Sequence, residues 1–162
     1  ILTDTGCFKY SNTSSNTHII AAHMIDAGAS HAKINNELFD TKSKARLELE
    51  KEVISGLEYY FDNRCAVIHI SNYLLEKTGA SDEEIEGLSA IPRQIEGVEV
   101  GITLREKENG YKISMRTTAY VSACEICKSL GGGGHARAAG CFIEGNLEEV
   151  TKKIVSEVGK YF

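Results

Sequence analysis

The spacing of apolar and polar residues changes near residue 59, and the change separates two kinds of predicted element. Upstream the period is helical: Ile19, Ile20, His23, Met24 and Ala27 recur at helix spacing over Ser14 to Ala27, with Gly28 placed as a C-cap. Ser30 is placed to cap a short helix through Leu38. Thr41 to Leu57 then carries Leu47, Leu49, Val53, Ile54 and Leu57 on one side and Lys/Glu pairs elsewhere. Downstream, strands alternate with helices. Cys65 to Ile70 is a continuous β-branched-rich run, the pattern of a strand covered on both faces. Short helices are predicted over Leu74 to Lys77 and Asp82 to Leu88, the second opened by Ser81 or Asp82 with Glu83 and Glu84 in its first turn. Val98 to Arg105 and Tyr111 to Thr117 predict a hairpin around Lys107-Glu108-Asn109-Gly110, with Asn-Gly as its turn. A helix over Val121 to Leu130, a strand at Cys141 to Ile143 and a helix from Leu147 to Tyr161, N-capped by Asn146, complete the chain. The expected fold class is α/β, a mixed β-sheet with flanking helices over residues 59–162, preceded by a helical segment at 1–40 and a linker helix at 41–58.

Alternation within the second hairpin strand separates its chemistry. Tyr111, Ile113 and Met115 share one face, and Lys112, Ser114 and Arg116 share the other, so two cations and a hydroxyl line up. A solvated strand face is the plain reading of such a row. A second feature bears on it: the run Gly131-Gly132-Gly133-Gly134-His135-Ala136-Arg137-Ala138-Ala139-Gly140. Bare backbone lets main-chain N–H groups approach a ligand, successive amides can form an anion-holding concavity, and His135 and Arg137 supply a donor and a planar cation. Most glycine clusters are flexible turns, but this one passes directly into Ala138-Ala139-Gly140-Cys141-Phe142-Ile143, which implies close packing. Neither usual nucleotide fingerprint fits. His135-Ala136 stands where a P-loop needs Lys-Ser/Thr, and a dinucleotide motif should follow a strand, whereas a predicted helix precedes this one.

Composition narrows the partner. No apolar stretch in the 162 residues approaches the roughly 20 needed to span a bilayer, so no membrane partner is expected. The net charge of −5 argues against non-specific binding of long duplexes, which depends on a broad basic surface; a short anion needs only a local basic pocket. Five cysteines, without a signal peptide or the density of a disulfide scaffold, suit a reducing cytoplasm. Cys124-Glu125-Ile126-Cys127 has no second ligand pair and falls on a predicted helix, where core packing is favoured over zinc. His18, His23, His31 and His69 show no paired metal-ligand spacing and are assigned no role.

With these residues in place, the chain resembles the DHH phosphoesterases. Lys112-Ile113-Ser114-Met115-Arg116, followed by Gly132-Gly133-Gly134-His135-Ala136-Arg137-Ala138-Ala139-Gly140, is similar to the signature of their DHHA1 domain. Thr3-Asp4-Thr5-Gly6-Cys7-Phe8-Lys9-Tyr10-Ser11-Asn12-Thr13 looks like the last motif of the catalytic DHH domain. Gly79-Ala80-Ser81-Asp82, Glu86-Gly87-Leu88 and Ile95 to Val100 resemble the start of DHHA1 in the nanoRNase/pAp-phosphatase branch. The resemblance implies that Lys112, Ser114, Arg116, Gly132, Gly133, Gly134, His135 and Arg137 bind substrate, and that Asp4 is one ligand of a Mn²⁺ centre. It also implies a short RNA or phosphorylated nucleotide as partner. The family's His-x4-Asp-x-Asp and Asp-His-His motifs do not occur here, so the chain is expected to be a C-terminal fragment, inactive alone, with residues 1–40 as a remnant of the catalytic domain. Apolar surface on the segment through Leu57 offers a route to a homodimer. The alternative reading is a stand-alone nucleic-acid or nucleotide-binding module without hydrolytic activity.

Overall fold

The computed structural model describes residues 1–162, which divide into two compact units, Ile1–Ser43 and Lys44–Phe162. In the first, a turn-rich stretch precedes helix α1 (Ser15–Asp26) and helix α2 (His31–Asn35), which runs into a wide turn at Asn36–Asp40. Ser14 and Thr17 form a reciprocal capping box at the start of α1. Ser30 makes no side-chain cap to α2, unlike its predicted role. Gly6, Cys7 and Phe8 all adopt positive φ, and the Thr5 hydroxyl anchors this bend by donating to the Ile1 carbonyl and accepting from the Phe8 N–H.

The second unit contains helix α3 (Lys44–Ser55), so the helix read as a linker belongs to the sheet domain. Strands β1 (Glu58–Tyr60), β2 (Cys65–Ile70), β3 (Val100–Lys107), β4 (Gly110–Thr117), β5 (Gly133–His135) and β6 (Ala138–Glu144) form one sheet in the order β1-β2-β3-β4-β6-β5. β2 and β3 run parallel and every other pair is antiparallel, which makes the sheet mixed. Helix α4 (Asn72–Thr78), capped by Ser71, and three 3₁₀ turns at Asp82–Ile85, Leu88–Ala90 and Pro92–Gln94 make the crossover from β2 to β3. The predicted helix over Asp82 to Leu88 is therefore broken at Glu86, with Gly87 at positive φ before the second turn. Helices α5 (Ala123–Ser129) and α6 (Leu147–Val158) follow β4 and β6.

Cross-strand partners share a face, so the register sorts the side chains into two layers. On one face Val67, Ile102, Ile113, Met115, Ala139 and Cys141 pack under Ile126 of α5 and Val150, Ile154 and Val158 of α6. On the other, Ile68 and Ile70 pack under Leu49 and Val53 of α3 and Leu88 of the crossover. That second layer stops at β3. Leu47 and Ile54, placed by periodicity on the apolar side of α3, are 52% and 51% exposed, because the helix seats only the narrow stripe through Leu49 and Val53.

Glu99 holds the loop between β4 and α5. Its buried carboxylate accepts the N–H groups of Ala119, Tyr120 and Val121 at 2.8–3.1 Å. Removing the acceptor leaves several donors unpaired, so Glu99→Ala is expected to lower unfolding free energy by at least about 2 kcal/mol in a urea titration. His69, in β2, is half-buried, its Nε2 has no hydrogen-bond partner, and burial lowers its pKa below the ordinary 6.5. The unfolded chain then binds the proton first, so stability falls as pH drops from about 6.5 through the lower folded value. His69→Leu should flatten that part of the pH profile of the thermal midpoint.

Candidate functional site

The uncovered half of the second face is built by β4, β6 and β5. Its floor is set by register: Ser114 lies opposite Gly140, which lies opposite Gly133, and Arg116 lies opposite Ala138, which lies opposite His135. A third row places Lys112 beside Phe142. Lys112, Ser114, Arg116, Gly133 and His135 thus come to one surface although they are distant in sequence, while small residues keep the floor between them low. Arg116 donates to its neighbour's carbonyl, Met115 O, at 3.0 Å. Phe142 is 46% exposed on this surface, and sequence reading did not single it out. The signal was available: in β6 it alternates with Gly140 and Ala138, so it had to share their face.

The glycine run differs from the expected anion concavity. Residues 133–135 are an edge strand, and the two glycine amides ahead of it are already used, Gly131 N–H donating to Lys128 O and Gly132 N–H to Cys127 O at the end of α5. The glycines serve distinct purposes. A Cβ on Gly132 would lie 2.2 Å from Gly140 O, and one on Gly134, at φ +148°, 2.6 Å from Ala138 O, so both are demanded by close pairing with β6. At Gly133 φ is ordinary and a Cβ would meet nothing within 4 Å. The protein's own packing gives no reason for a glycine there, which leaves open space above it for a ligand.

Arg137 sits in the two-residue turn between β5 and β6 and donates to Val121 O at 2.6 Å, tying the turn to the loop held by Glu99. One arm of its guanidinium is therefore committed to the fold. Asp4 lies in the other unit with its carboxylate 85% exposed, and no group of three or more His, Cys, Asp or Glu residues that could hold a metal comes together in the chain. The residues present do not assemble a manganese site. The Cys-x-x-Cys pair packs on α5: Cys127 is buried, its thiol pushed up by hydrogen bonding to Cys141 and by burial, and Cys124 donates to Gly134 O. No helix is long and apolar enough to cross a membrane.

A mixed-sheet α/β domain with helices over one face and half of the other, and a basic, glycine-floored remainder, is the class this geometry defines. The chain belongs to the DHHA1 domain family, whose model matches residues 65–162. It is 31% identical over 159 residues to the bifunctional oligoribonuclease and PAP phosphatase NrnA of Thermus thermophilus, covering 98% of this chain and 47% of that protein. NrnA of Bacillus subtilis is 26% identical over 143 residues, covering 88% and 45%. Among solved structures, an exopolyphosphatase-related protein from Bacteroides fragilis superposes with a TM-score of 0.90 at 28% identity, over 99% of this chain and 47% of that one. The chain spans about half the length of the curated relatives it matches.

The two kinds of glycine give a direct check. Gly134→Ala should destabilise the domain by roughly 2 kcal/mol or more, through strained φ and the clash with β6, whereas Gly133→Ala should stay within about 0.5 kcal/mol of the parent in the same melt.

Proposed function

We propose that this chain supplies the substrate-binding part of a DHH phosphoesterase, and that the open face of β4, β6 and β5 receives the phosphorylated end of a short oligoribonucleotide or of 3′-phosphoadenosine 5′-phosphate. The observation that carries this reading is that Arg116, His135 and Lys112 share one face with a floor whose edge-strand residue, Gly133, has no packing reason to lack a side chain. Arg116 offers a fork that matches phosphate geometry, His135 a donor at the edge strand, and Lys112 a point charge at the far end of β4, about 13 Å away by strand rise. Phe142 adds a ring on which a base can stack, and base–aromatic stacking is tolerant of base identity.

The activities that name the relatives, oligoribonuclease and PAP phosphatase, fit such a face. Hydrolysis in the complete enzyme would draw its manganese ligands from residues outside this sequence, with Asp4 contributing one. Within this chain the task is to hold and orient: the phosphate against the Arg116–His135 end, the base over the apolar and small-residue floor.

Calorimetric titration with 3′-phosphoadenosine 5′-phosphate tests this. Arg116→Ala and His135→Ala should each raise Kd about tenfold or more, and Gly133→Val should do the same by filling the space above the floor while leaving the thermal midpoint in place. A Gly133→Val protein that binds like the parent contradicts the reading.

A further inference from the structure

The open face does not end at Ser114. Thr103, opposite Ser114, and Arg105, opposite Lys112, continue it onto β3, where they line a cleft of about 470 Å³ walled by Asp82, Gly87 and Ser89 of the crossover. Two side chains that line this cleft each carry a buried polar atom without a hydrogen-bond partner. Thr103 is 3% exposed and its Oγ1 has no hydrogen-bond partner; Arg105 is 9% exposed and its Nε has none. The rest of the Arg105 guanidinium is engaged, donating to Asn72 Oδ1 at 2.6 Å, Glu106 O at 2.8 Å and Asp82 Oδ1 at 3.2 Å. Buried polar groups are ordinarily satisfied, so two unpaired ones on the same face of one strand, both lining an open cleft, mark a place where a ligand completes the bonding.

The ligand's character follows from the lining. Asp82 and Glu86 nearly balance Arg105, Lys107 and Lys112, and Arg105 is already paired with Asp82, so the cleft is a poor second phosphate site. A hydroxyl that both gives and accepts, next to a lone N–H donor, suits a neutral group presenting acceptors and a donor side by side. The row from Gly133 through Gly140 and Ser114 to Thr103 crosses three strand intervals, about 14 Å, from the floor beside His135 to the cleft.

We infer that the cleft over Thr103 and Arg105 holds the nucleoside of the second residue of a short oligoribonucleotide whose terminal phosphate lies at Arg116 and His135. This rests on the substrate reading above and deepens it. A single nucleotide occupies only the outer part of the face, whereas a dinucleotide spans both parts, so the cleft is where this chain discriminates between the two.

Thr103→Val tests the inference, because it removes the hydroxyl while keeping volume and, by deleting an unpaired buried polar atom, should hold or raise the thermal midpoint. Ser89→Leu, which narrows the cleft from its opposite wall, is the second variant. By calorimetry each should weaken binding of 5′-phosphorylated diadenylate about tenfold and leave 3′-phosphoadenosine 5′-phosphate within twofold. Equal loss for both ligands, or no loss for the dinucleotide, overturns the inference. Arg116→Ala run beside them separates this failure from that of the underlying reading: if Arg116 affects neither ligand, the face is not the substrate site and the larger proposal falls, whatever Thr103 does.

Discussion

Strand β6 pairs along both edges at once, with β4 on one side and β5 on the other, and the rest of the site depends on that constraint. Main chains at Ala138–Gly140 and Gly132–Gly134 approach so closely that Cβ atoms on Gly132 or Gly134 would collide with carbonyls of β6. Small side chains are thus required first by sheet closure. The bare floor that results can accept a ligand only because the layer of α3 and the crossover stops at β3, leaving β4, β6 and β5 uncovered on that face. Glu99 and Arg137 both fasten the loop joining β4 to α5, meeting at Val121, where Glu99 accepts the N–H and Arg137 donates to the carbonyl, so the edge hairpin carrying His135 is tied to the same loop.

Much of this was legible in the chain. The continuous run at Cys65–Ile70, the alternation of Lys112, Ser114 and Arg116, and the Asn146 cap of α6 are local signals, and the structure follows them. What sequence could not supply was pairing order. That β6 lies between β4 and β5 is a non-local fact, and only it brings Phe142 to Lys112 and Gly133 to Ser114. The glycine run was read as a nest of amides because loop and edge strand share the same composition; the carbonyls at the end of α5 decide otherwise by taking two of those amides. Gly110 shows the same limit at smaller scale. Asn-Gly reads as the turn, yet Lys107 pairs with Gly110, so Gly110 is already in the strand, and the glycine is needed because a Cβ there would lie 2.2 Å from Ile143 O. Glu99 escaped notice for a related reason: an acid inside an apolar run has no local partner, and its donors lie some twenty residues away.

For a chain of net charge −5 to hold the proposed anion it must localise its cations, and the sheet does so by alternation. Lys112 and Arg116 stand on the open face because the intervening Ile113 and Met115 are drawn into the opposite core, so the same burial that stabilises the domain also aims the charge. Much of the acidic excess lies elsewhere, for instance in the first turn of α6, where it favours the helix N-terminus. Such a field is strong near the floor and weak beyond it, since surface charge is screened over about 8–10 Å at physiological salt. The face is also finite in extent: the edge of β5 bounds one side and the 3₁₀ turns over β3 wall the other. A long duplex gains little from so small a basic patch set in an acidic surface, whereas a ligand of one or two nucleotides can place its charge against the cations and its neutral parts along the floor. Under the proposed function, selection for short phosphorylated ligands would follow from where the covering layer stops and which side of β4 the cations occupy, with no need for a separate gate.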